Sequence, residues 1–387
     1  MNFTVFLVLG LMAVMPCNAS RQSPSESAML VQLLDAYHEI GLFHGVAIVA
    51  RGEKVLIGHS TGQANYDWDV PNTLNGRFAL GSVSKLFEAL IALDLVDRGL
   101  LDLDAPLAER LPWLGSHPAA KVTLRQLLAH TSGVPDYLND ATDPDAINYR
   151  SWSARELVAK ALDRPLEFDP GAGFEYSNTG YLLIKLLIEA VIDDDYCDVL
   201  RKRILDPVGM TQTGCMDRTE ILEQRVSGFE RASAELRRTV ELANGIAEGL
   251  LYSTAPDLLR LGQALNEGKH FSPGVLELLR TPSSVDTWLS EDQGGRHENG
   301  LGVEIFDLAQ FVPGGKRLMY TNGGGLPGFS AVFHRVPQDQ LVVIVLNNVR
   351  ARPIYPEIFA VLHGLPYEMP KGEGRWPVRE SGGPDQR

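Results

Sequence analysis

The first part of the chain has apolar residues at helical spacing, followed by two short apolar runs. Within Glu26–Ile40, the residues Leu30, Leu33 and Leu34 fall on one face, which predicts an amphipathic helix. The runs Gly45–Ala50 and Val55–Gly58 flank a Gly-Glu pair and predict a β-hairpin. This part of the chain therefore begins with one helix and two paired strands.

The middle of the chain has helical patterns, and the last third returns to strands. Thr123-x-x-Gln126 and Ser153-x-x-Glu156 are capping boxes that open apolar runs. Further helices are predicted over Ser82–Arg98, Tyr181–Val191, Ser253 to near Gly268, and Pro353–Leu362. Strands are predicted over Leu301–Phe306, Arg317–Thr321, Phe329–Val336 and Gln340–Asn347.

Strands near both ends with helices between them predict an α/β (α+β) fold. One antiparallel sheet, flanked by helices, is assembled from both ends of the chain, and an all-helical lobe is inserted. We expect residues 20–80 and 245–370 to form the α/β lobe and 81–244 the helical lobe. Residues 371–387 are polar and rich in Gly and Pro, which predicts a disordered tail.

Composition narrows the class of protein and its location. The 387 residues are 44% hydrophobic with a net charge of −14, which argues against nucleic-acid binding. The apolar run Val5–Met15 precedes polar Asn18 and small Ala19, so residues 1–19 are interpreted as a signal peptide. The run is too short to span a membrane, and no later segment resembles a span. A periplasmic or secreted protein is expected.

The cysteines and histidines give little indication of chemistry. Export would leave Cys197 and Cys215, for which we favour two buried free thiols over a disulfide. The histidines lack metal-ligand spacing, and we expect them at the surface or in caps. Two motif matches are rejected. No helix follows Ser60 in its G-x-S-x-G match, and a strand follows Gly328 where a dinucleotide fingerprint needs a helix.

Three short patterns carry candidate chemistry. Ser82-Val83-Ser84-Lys85 places a serine at a predicted helix start, where free N–H groups favour developing negative charge. Lys85 lies on the same helix face, and burial can lower the pKa of an amine enough to accept a serine proton. Alone, this pattern also fits a capping serine and a solvated lysine.

The other two patterns are equally ambiguous when taken singly. Tyr176-Ser177-Asn178 supplies a phenol for acid/base chemistry and an amide for substrate, or else a turn and a helix cap. Asn322 begins a run of three glycines, which permits close approach of a substrate to the backbone or else forms a turn. The N–H of Gly325 would pair with that of Ser82 as an oxyanion hole.

Five stretches in one order resemble the serine β-lactamase-related family, which includes class C β-lactamases, D-alanyl-D-alanine carboxypeptidases, penicillin-binding proteins and esterases. The stretches are GSVSKLFEAL, LLAHTSGVPDY, PGAGFEYSNTGYLLIKLLIE, STAPDLLRL and NGGGLPGFSAVF. The resemblance spans about residues 30–365. It implies a sandwich lobe and a helical lobe, with Ser82 as nucleophile, Lys85 as its base, Tyr176 as second acid/base and Asn178 as substrate-binding amide.

The third pattern departs from the family, which usually has Lys or His where this chain has Asn322. A neutral amide gives no charge for a substrate carboxylate, unless Arg350 or Arg352 replaces it. The expected reaction is acyl transfer to an ester, a D-amino-acid amide or peptide, or a β-lactam, with no metal or organic cofactor. The alternative is a non-catalytic sensor or binding module for cell-wall fragments. The sequence leaves the oligomeric state open.

Overall fold

The structure is a computed structural model that describes residues 25–139, 151–217, 219–232, 235–239, 250–283, 287–288, 296–310, 317–349 and 354–370. The signal peptide and the disordered tail predicted from the sequence lie outside these residues, and both stay predictions. Arg350 and Arg352 also lie outside the described residues, so their expected role as replacement charges stays a prediction.

The described strands and helices follow the order expected from the sequence. In chain order the strands are β1 (Gly45–Arg51), β2 (Lys54–Thr61), β3 (Gln63–Asn65), β4 (Val70–Pro71), β5 (Phe78–Ala79), β6 (Gly214–Cys215), β7 (Phe229–Ala232), β8 (Glu235–Arg238), β9 (Leu251–Ser253), β10 (Thr287–Trp288), β11 (Arg296–Asn299), β12 (Glu304–Asp307), β13 (Leu318–Leu326), β14 (Phe329–Val336) and β15 (Leu341–Asn347). The α-helices are α1 (Glu26–Glu39), α2 (Ser84–Asp97), α3 (Leu124–Leu128), α4 (Ala154–Ala161), α5 (Asn178–Ile192), α6 (Tyr196–Leu200), α7 (Asp206–Val208), α8 (Ala255–Glu267), α9 (Pro273–Arg280) and α10 (Tyr355–Leu362).

One antiparallel sheet joins the two ends of the described chain. Its order is β10–β11–β12–β13–β14–β15–β1–β2. The first hairpin meets the last strand, with Gly45 opposite Asn347 and Arg51 opposite Leu341. The predicted α/β (α+β) fold with a sheet built from both ends is confirmed.

Each face of the sheet covers its own hydrophobic core. Alternate residues of a strand point to opposite faces, so Phe333 and Val336 on β14 belong to different cores. One core holds α1 and α10 against the sheet. The other joins the sheet to α8 and to the helices of the middle of the chain, α2 and α5 among them. The core that contains α8, α2 and α5 places the start of α2 beside β13.

Short segments differ from the sequence prediction where they approach the site. The glycines after Asn322 continue β13 to Leu326 instead of ending a strand at Thr321. The helix predicted from Ser82 opens with a 3-10 turn, Gly81–Val83, before α2 begins. The two segments contact each other in the folded protein, and no local pattern encodes that contact.

The expectation for the cysteines was wrong. Cys197 of α6 and Cys215 of β6 form a disulfide, with a Cα–Cα distance of 6.0 Å and 18 residues of separation. The bond joins the start of α6 to a strand of the small β5–β9–β6 sheet. Sequence spacing alone does not bring two cysteines this close, because the intervening chain must fold back.

The expectation for the histidines was also wrong at two positions. His130 and His334 are buried, with exposures of 8% and 3%. Burial lowers the pKa of each to about 3, and the charge of Lys85 adds to the effect at His130. Both rings are therefore neutral in the folded protein near neutral pH.

Within the described residues, no helix has the length and apolar character to cross a bilayer.

Candidate active site

Ser82 lies in the tight turn that leads into α2. The preceding Gly81 has a φ of +55°, a conformation that L side chains rarely adopt. A Cβ atom at Gly81 would also lie 2.8 Å from the backbone nitrogen of Gly325. Only glycine permits both the turn and the close approach of β13.

Lys85 follows Ser82 by one helical turn and points to the same place. Its Nζ lies 3.3 Å from Ser82 Oγ and 2.8 Å from Asn178 Oδ1, and it donates to both. Three-residue spacing on a helix puts both side chains on one face, as the sequence predicted. The amine is therefore positioned to exchange a proton with the serine.

Tyr176 approaches the serine from the other side. Its Oη donates to Ser82 Oγ at 2.8 Å, and its ring stacks on His130 with centroids 4.4 Å apart. The backbone N–H of Ser177 donates to His130 Nδ1 at 3.2 Å, so the neutral ring carries its proton on Nε2. The buried imidazole ring of His130 thus packs against the phenol ring of Tyr176.

A buried carboxylate orients the amide that contacts the lysine. Asp136 Oδ2 accepts from the backbone N–H of Asn178 at 3.1 Å and from its Nδ2 at 2.7 Å. Because Nδ2 is engaged, Asn178 Oδ1 faces Lys85 Nζ. A hydrogen-bonded chain therefore runs from Asp136 through Asn178 and Lys85 to Ser82.

The glycine run of β13 lies against the serine turn. A Cβ at Gly324 would lie 2.0 Å from Leu80 O and 3.1 Å from the backbone nitrogen of Ser82. Adding any side chain there would push the strand away from the turn. The glycine run therefore lies close to the turn that contains the backbone nitrogen of Ser82.

Asn322 lies beside these glycines and is 8% exposed. Its Nδ2 donates to Gly302 O at 2.9 Å, while its Oδ1 is buried without a hydrogen-bond partner. The amide orientation follows from the chemistry of the contact, because a carbonyl oxygen accepts only.

These side chains surround a cavity of about 150 Å³. Its lining consists of Ser82, Lys85, Leu128, His130, Phe174, Tyr176, Tyr181, Asn299, Gly300, Gly302, Val303, Glu304, Asn322 and Gly323. Gly325 is not among them, although its nitrogen lies near the serine turn. Among the described lining residues, Lys85 is the only Lys or Arg.

Three lining or supporting groups were missed by sequence reasoning. His130 and Asp136 both lie in the LLAHTSGVPDY stretch, which was used for the family resemblance but not for the site. The third, Glu304, begins β12, and burial raises its pKa to about 7. No spacing pattern links it to the serine.

Among the described residues, no group of three His, Cys, Asp or Glu side chains is placed to hold a metal ion.

The fold is of the β-lactamase/transpeptidase type. The model of the beta-lactamase family matches residues 29–357, and the chain belongs to this family of serine hydrolases. The resemblance noted from the five stretches is confirmed.

Three relatives illustrate the range of the family. Penicillin-binding protein 4* of Bacillus subtilis is 28% identical, over 88% of this chain and 77% of the relative. Esterase EstB of Burkholderia gladioli is 31% identical, over 51% of this chain and 54% of the relative. The solved structure of a D-amino acid amidase from Ochrobactrum anthropi SV3 has a TM-score of 0.72 and 25% identity, covering 87% of this chain and 96% of that one.

Proposed function

We propose that the protein hydrolyses esters or amides through a covalent acyl-enzyme on Ser82. The observation that carries the proposal is the position of Ser82 Oγ. It lies within hydrogen-bond distance of both Lys85 Nζ, at 3.3 Å, and Tyr176 Oη, at 2.8 Å. A hydroxyl next to two groups that can move protons is the arrangement needed to activate a serine nucleophile.

Acylation begins when Ser82 Oγ attacks the substrate carbonyl and its proton passes to Lys85, with Tyr176 as the second acid/base. The carbonyl oxygen becomes an oxyanion, which the N–H groups of Ser82 and Gly325 stabilise. The tetrahedral intermediate then collapses, and the leaving group takes a proton through Tyr176 or Lys85. Water attacks the acyl-enzyme by the reverse sequence and releases the acid and free Ser82.

The substrate class is argued from the cavity and from the relatives. The cavity of about 150 Å³ has room for a short acyl group, and its apolar lining includes Leu128, Phe174 and Val303. Relatives named as an esterase and a D-amino acid amidase make esters and D-amino-acid amides the first candidates. Peptides and β-lactams are secondary candidates because Asn322 supplies no charge for a carboxylate.

The first test is turnover of p-nitrophenyl acetate by the full chain and by Ser82→Ala. We expect kcat of the variant to be lower by a factor of more than about 10³, because the nucleophile is absent. Ser60→Ala is the matched control. Ser60 lies within β2 opposite Val46 in the sheet, so its loss leaves the rate unchanged.

A second measurement is intact mass after exposure to benzylpenicillin, which detects a covalent adduct on Ser82. Hydrolysis that survives Ser82→Ala would refute the proposed nucleophile. No hydrolysis of any ester or amide and no adduct would leave the binding module as the better interpretation.

The proposal includes export to the periplasm or the outside of the cell. The Cys197–Cys215 disulfide supports this location, because structural disulfides persist in oxidising compartments. Amino-terminal sequencing of the protein recovered outside the cytoplasm tests it. A mature chain that begins near Ser20 is expected, and an uncleaved cytoplasmic protein would refute it.

A further inference from the structure

His130 has a backbone conformation that most side chains avoid. Its φ is +56°, in the left-handed region. It follows α3, where its N–H donates to Leu127 O at 3.2 Å and the N–H of Thr131 donates to Gln126 O at 2.8 Å. This pair of bonds ends a helix, and its left-handed position is most often occupied by glycine. A histidine at this position strains the backbone, which points to a role for its imidazole ring.

The carbonyl and the imidazole of His130 hold the chain on both sides of Tyr176. The carbonyl oxygen accepts from the N–H of Glu175 at 3.0 Å, and Nδ1 accepts from the N–H of Ser177 at 3.2 Å. The segment from Glu175 to Ser177 lies outside the helices and strands, so no regular pattern of backbone bonds fixes it. One residue thus holds the backbone immediately before and immediately after the tyrosine.

The ring of His130 also contacts the phenol ring. The two rings are stacked, with centroids 4.4 Å apart and an angle of 28° between their planes. His130 is 8% exposed, whereas Tyr176 is 38% exposed. One face of the phenol therefore rests on a buried ring while its hydroxyl donates to Ser82 Oγ at 2.8 Å.

The bond to Ser177 requires a neutral imidazole. Burial, with a further effect from the charge of Lys85, lowers the pKa of His130 to about 3. Near neutral pH its Nδ1 therefore keeps the lone pair that accepts from the Ser177 N–H. A protonated ring carries an N–H on both nitrogens and would oppose that donor.

We infer that His130 is a positioning residue that holds the Tyr176 hydroxyl within hydrogen-bond distance of Ser82 Oγ. The inference rests on the proposed hydrolase function, in which Tyr176 is the second acid/base. His130 itself transfers no proton in this scheme and acts through the phenol. Its loss should therefore lower kcat only while the phenol hydroxyl is present.

A double-mutant cycle with Tyr176→Phe tests whether the effect of His130 passes through the phenol. His130→Phe keeps an aromatic ring beside Tyr176 but removes the acceptor for the Ser177 N–H. We expect it to lower kcat for p-nitrophenyl acetate about tenfold with little change in KM, because the acid/base group is misplaced. In the Tyr176→Phe background the same substitution should change kcat by less than about twofold, since no hydroxyl remains to be positioned.

His130→Asn separates the hydrogen bond from the ring. Its Oδ1 takes the place of Nδ1, and asparagine adopts the left-handed conformation readily. We expect a remaining loss of about threefold in kcat, because the stacked ring is absent. Thermal unfolding of each variant gives the fraction folded at the assay temperature, so that kcat refers to folded protein. If His130→Phe does not fold, His130→Asn takes its place in the cycle.

His334→Phe is the matched control. His334 is also buried, and burial lowers its pKa to about 3. Its ring lies 6.0 Å from that of Phe359, in the core that holds α1 and α10. Loss of this buried neutral histidine should leave kcat of the folded protein unchanged.

The outcomes separate this inference from the proposed function. A natural chain that does not hydrolyse p-nitrophenyl acetate, or hydrolysis that survives Ser82→Ala, refutes the proposed function. Hydrolysis that depends on Ser82 can still refute the role of His130 alone. It does so if kcat is unchanged in the His130 variant, or if the loss is equal with and without the Tyr176 hydroxyl.

Discussion

The hydroxyl of Tyr176 lies 2.8 Å from that of Ser82, closer than the amine of Lys85 at 3.3 Å. Both groups meet one oxygen atom from different elements, the phenol from the segment before α5 and the amine from α2. The tyrosine is therefore placed to take part in each proton transfer of the proposed reaction.

Tyr176→Phe tests that role while keeping the ring stacked on His130. We expect kcat for p-nitrophenyl acetate to fall about 10²-fold, the lower end for loss of a positioned acid/base group. KM should change little, because the ring and its packing remain. A variant with the kcat of the natural chain would show that Lys85 acts without the phenol.

Asp136 acts through Asn178, so it is a positioning residue. Its Oδ2 accepts two hydrogen bonds from Asn178 and so turns Asn178 Oδ1 toward Lys85. Asp136→Ala should lower kcat about tenfold, a loss typical of a displaced group next to the reactive atoms. Asp136→Asn keeps one oxygen for this contact and should recover part of the loss. Equal activity of both variants and the natural chain would contradict this role.

Much of the fold follows from local patterns. The spacing of apolar residues predicts the first helix, the hairpin and the last strands. The predicted capping boxes at Thr123 and Ser153 are both present in the structure. The sheet that joins both ends also follows from the order of elements. The boundaries expected for the helical lobe, 81–244, stay a prediction.

The site was only partly predictable, for a physical reason. Ser82 and Lys85 share a helix face, and local spacing suffices to bring them together. Tyr176 follows Ser82 by 94 residues, and only the packed fold brings them into contact. The burial of His130 and the orientation of Asn322 likewise depend on neighbours distant in sequence.

The disulfide should stabilise the folded protein. Its cysteines are 18 residues apart, and closing a loop of this size contributes about 3 kcal/mol in the chain-entropy description. The double variant Cys197→Ala, Cys215→Ala should lose about that much free energy of unfolding in denaturant titrations. Reducing agent should lower the stability of the natural chain by a similar amount and leave the double variant unchanged. Equal stability of the two proteins would contradict the expectation.

Glu304 should make stability fall as the pH rises. It lies opposite Thr321 in the sheet and has no ion-pair partner among the described residues. Burial raises its pKa from 4.5 to about 7. Below pH 4.5 the carboxyl group is protonated in both states, so the folded protein pays no desolvation penalty for a charge. Between pH 4.5 and 7 the unfolded chain releases a proton that the folded chain retains, so the free energy of unfolding decreases.

Glu304→Gln removes this titration with little change in shape. Relative to the natural chain, the variant should gain about 1–2 kcal/mol in free energy of unfolding between pH 4 and pH 8. That is less than the whole shift implies, because the side chain is partly exposed and water screens its charge. Urea titrations of both proteins at several pH values measure the difference, in which the other titrating groups cancel. A difference that stays constant from pH 4 to pH 8 would show that Glu304 is ionised in the folded protein over the same range as in the unfolded chain.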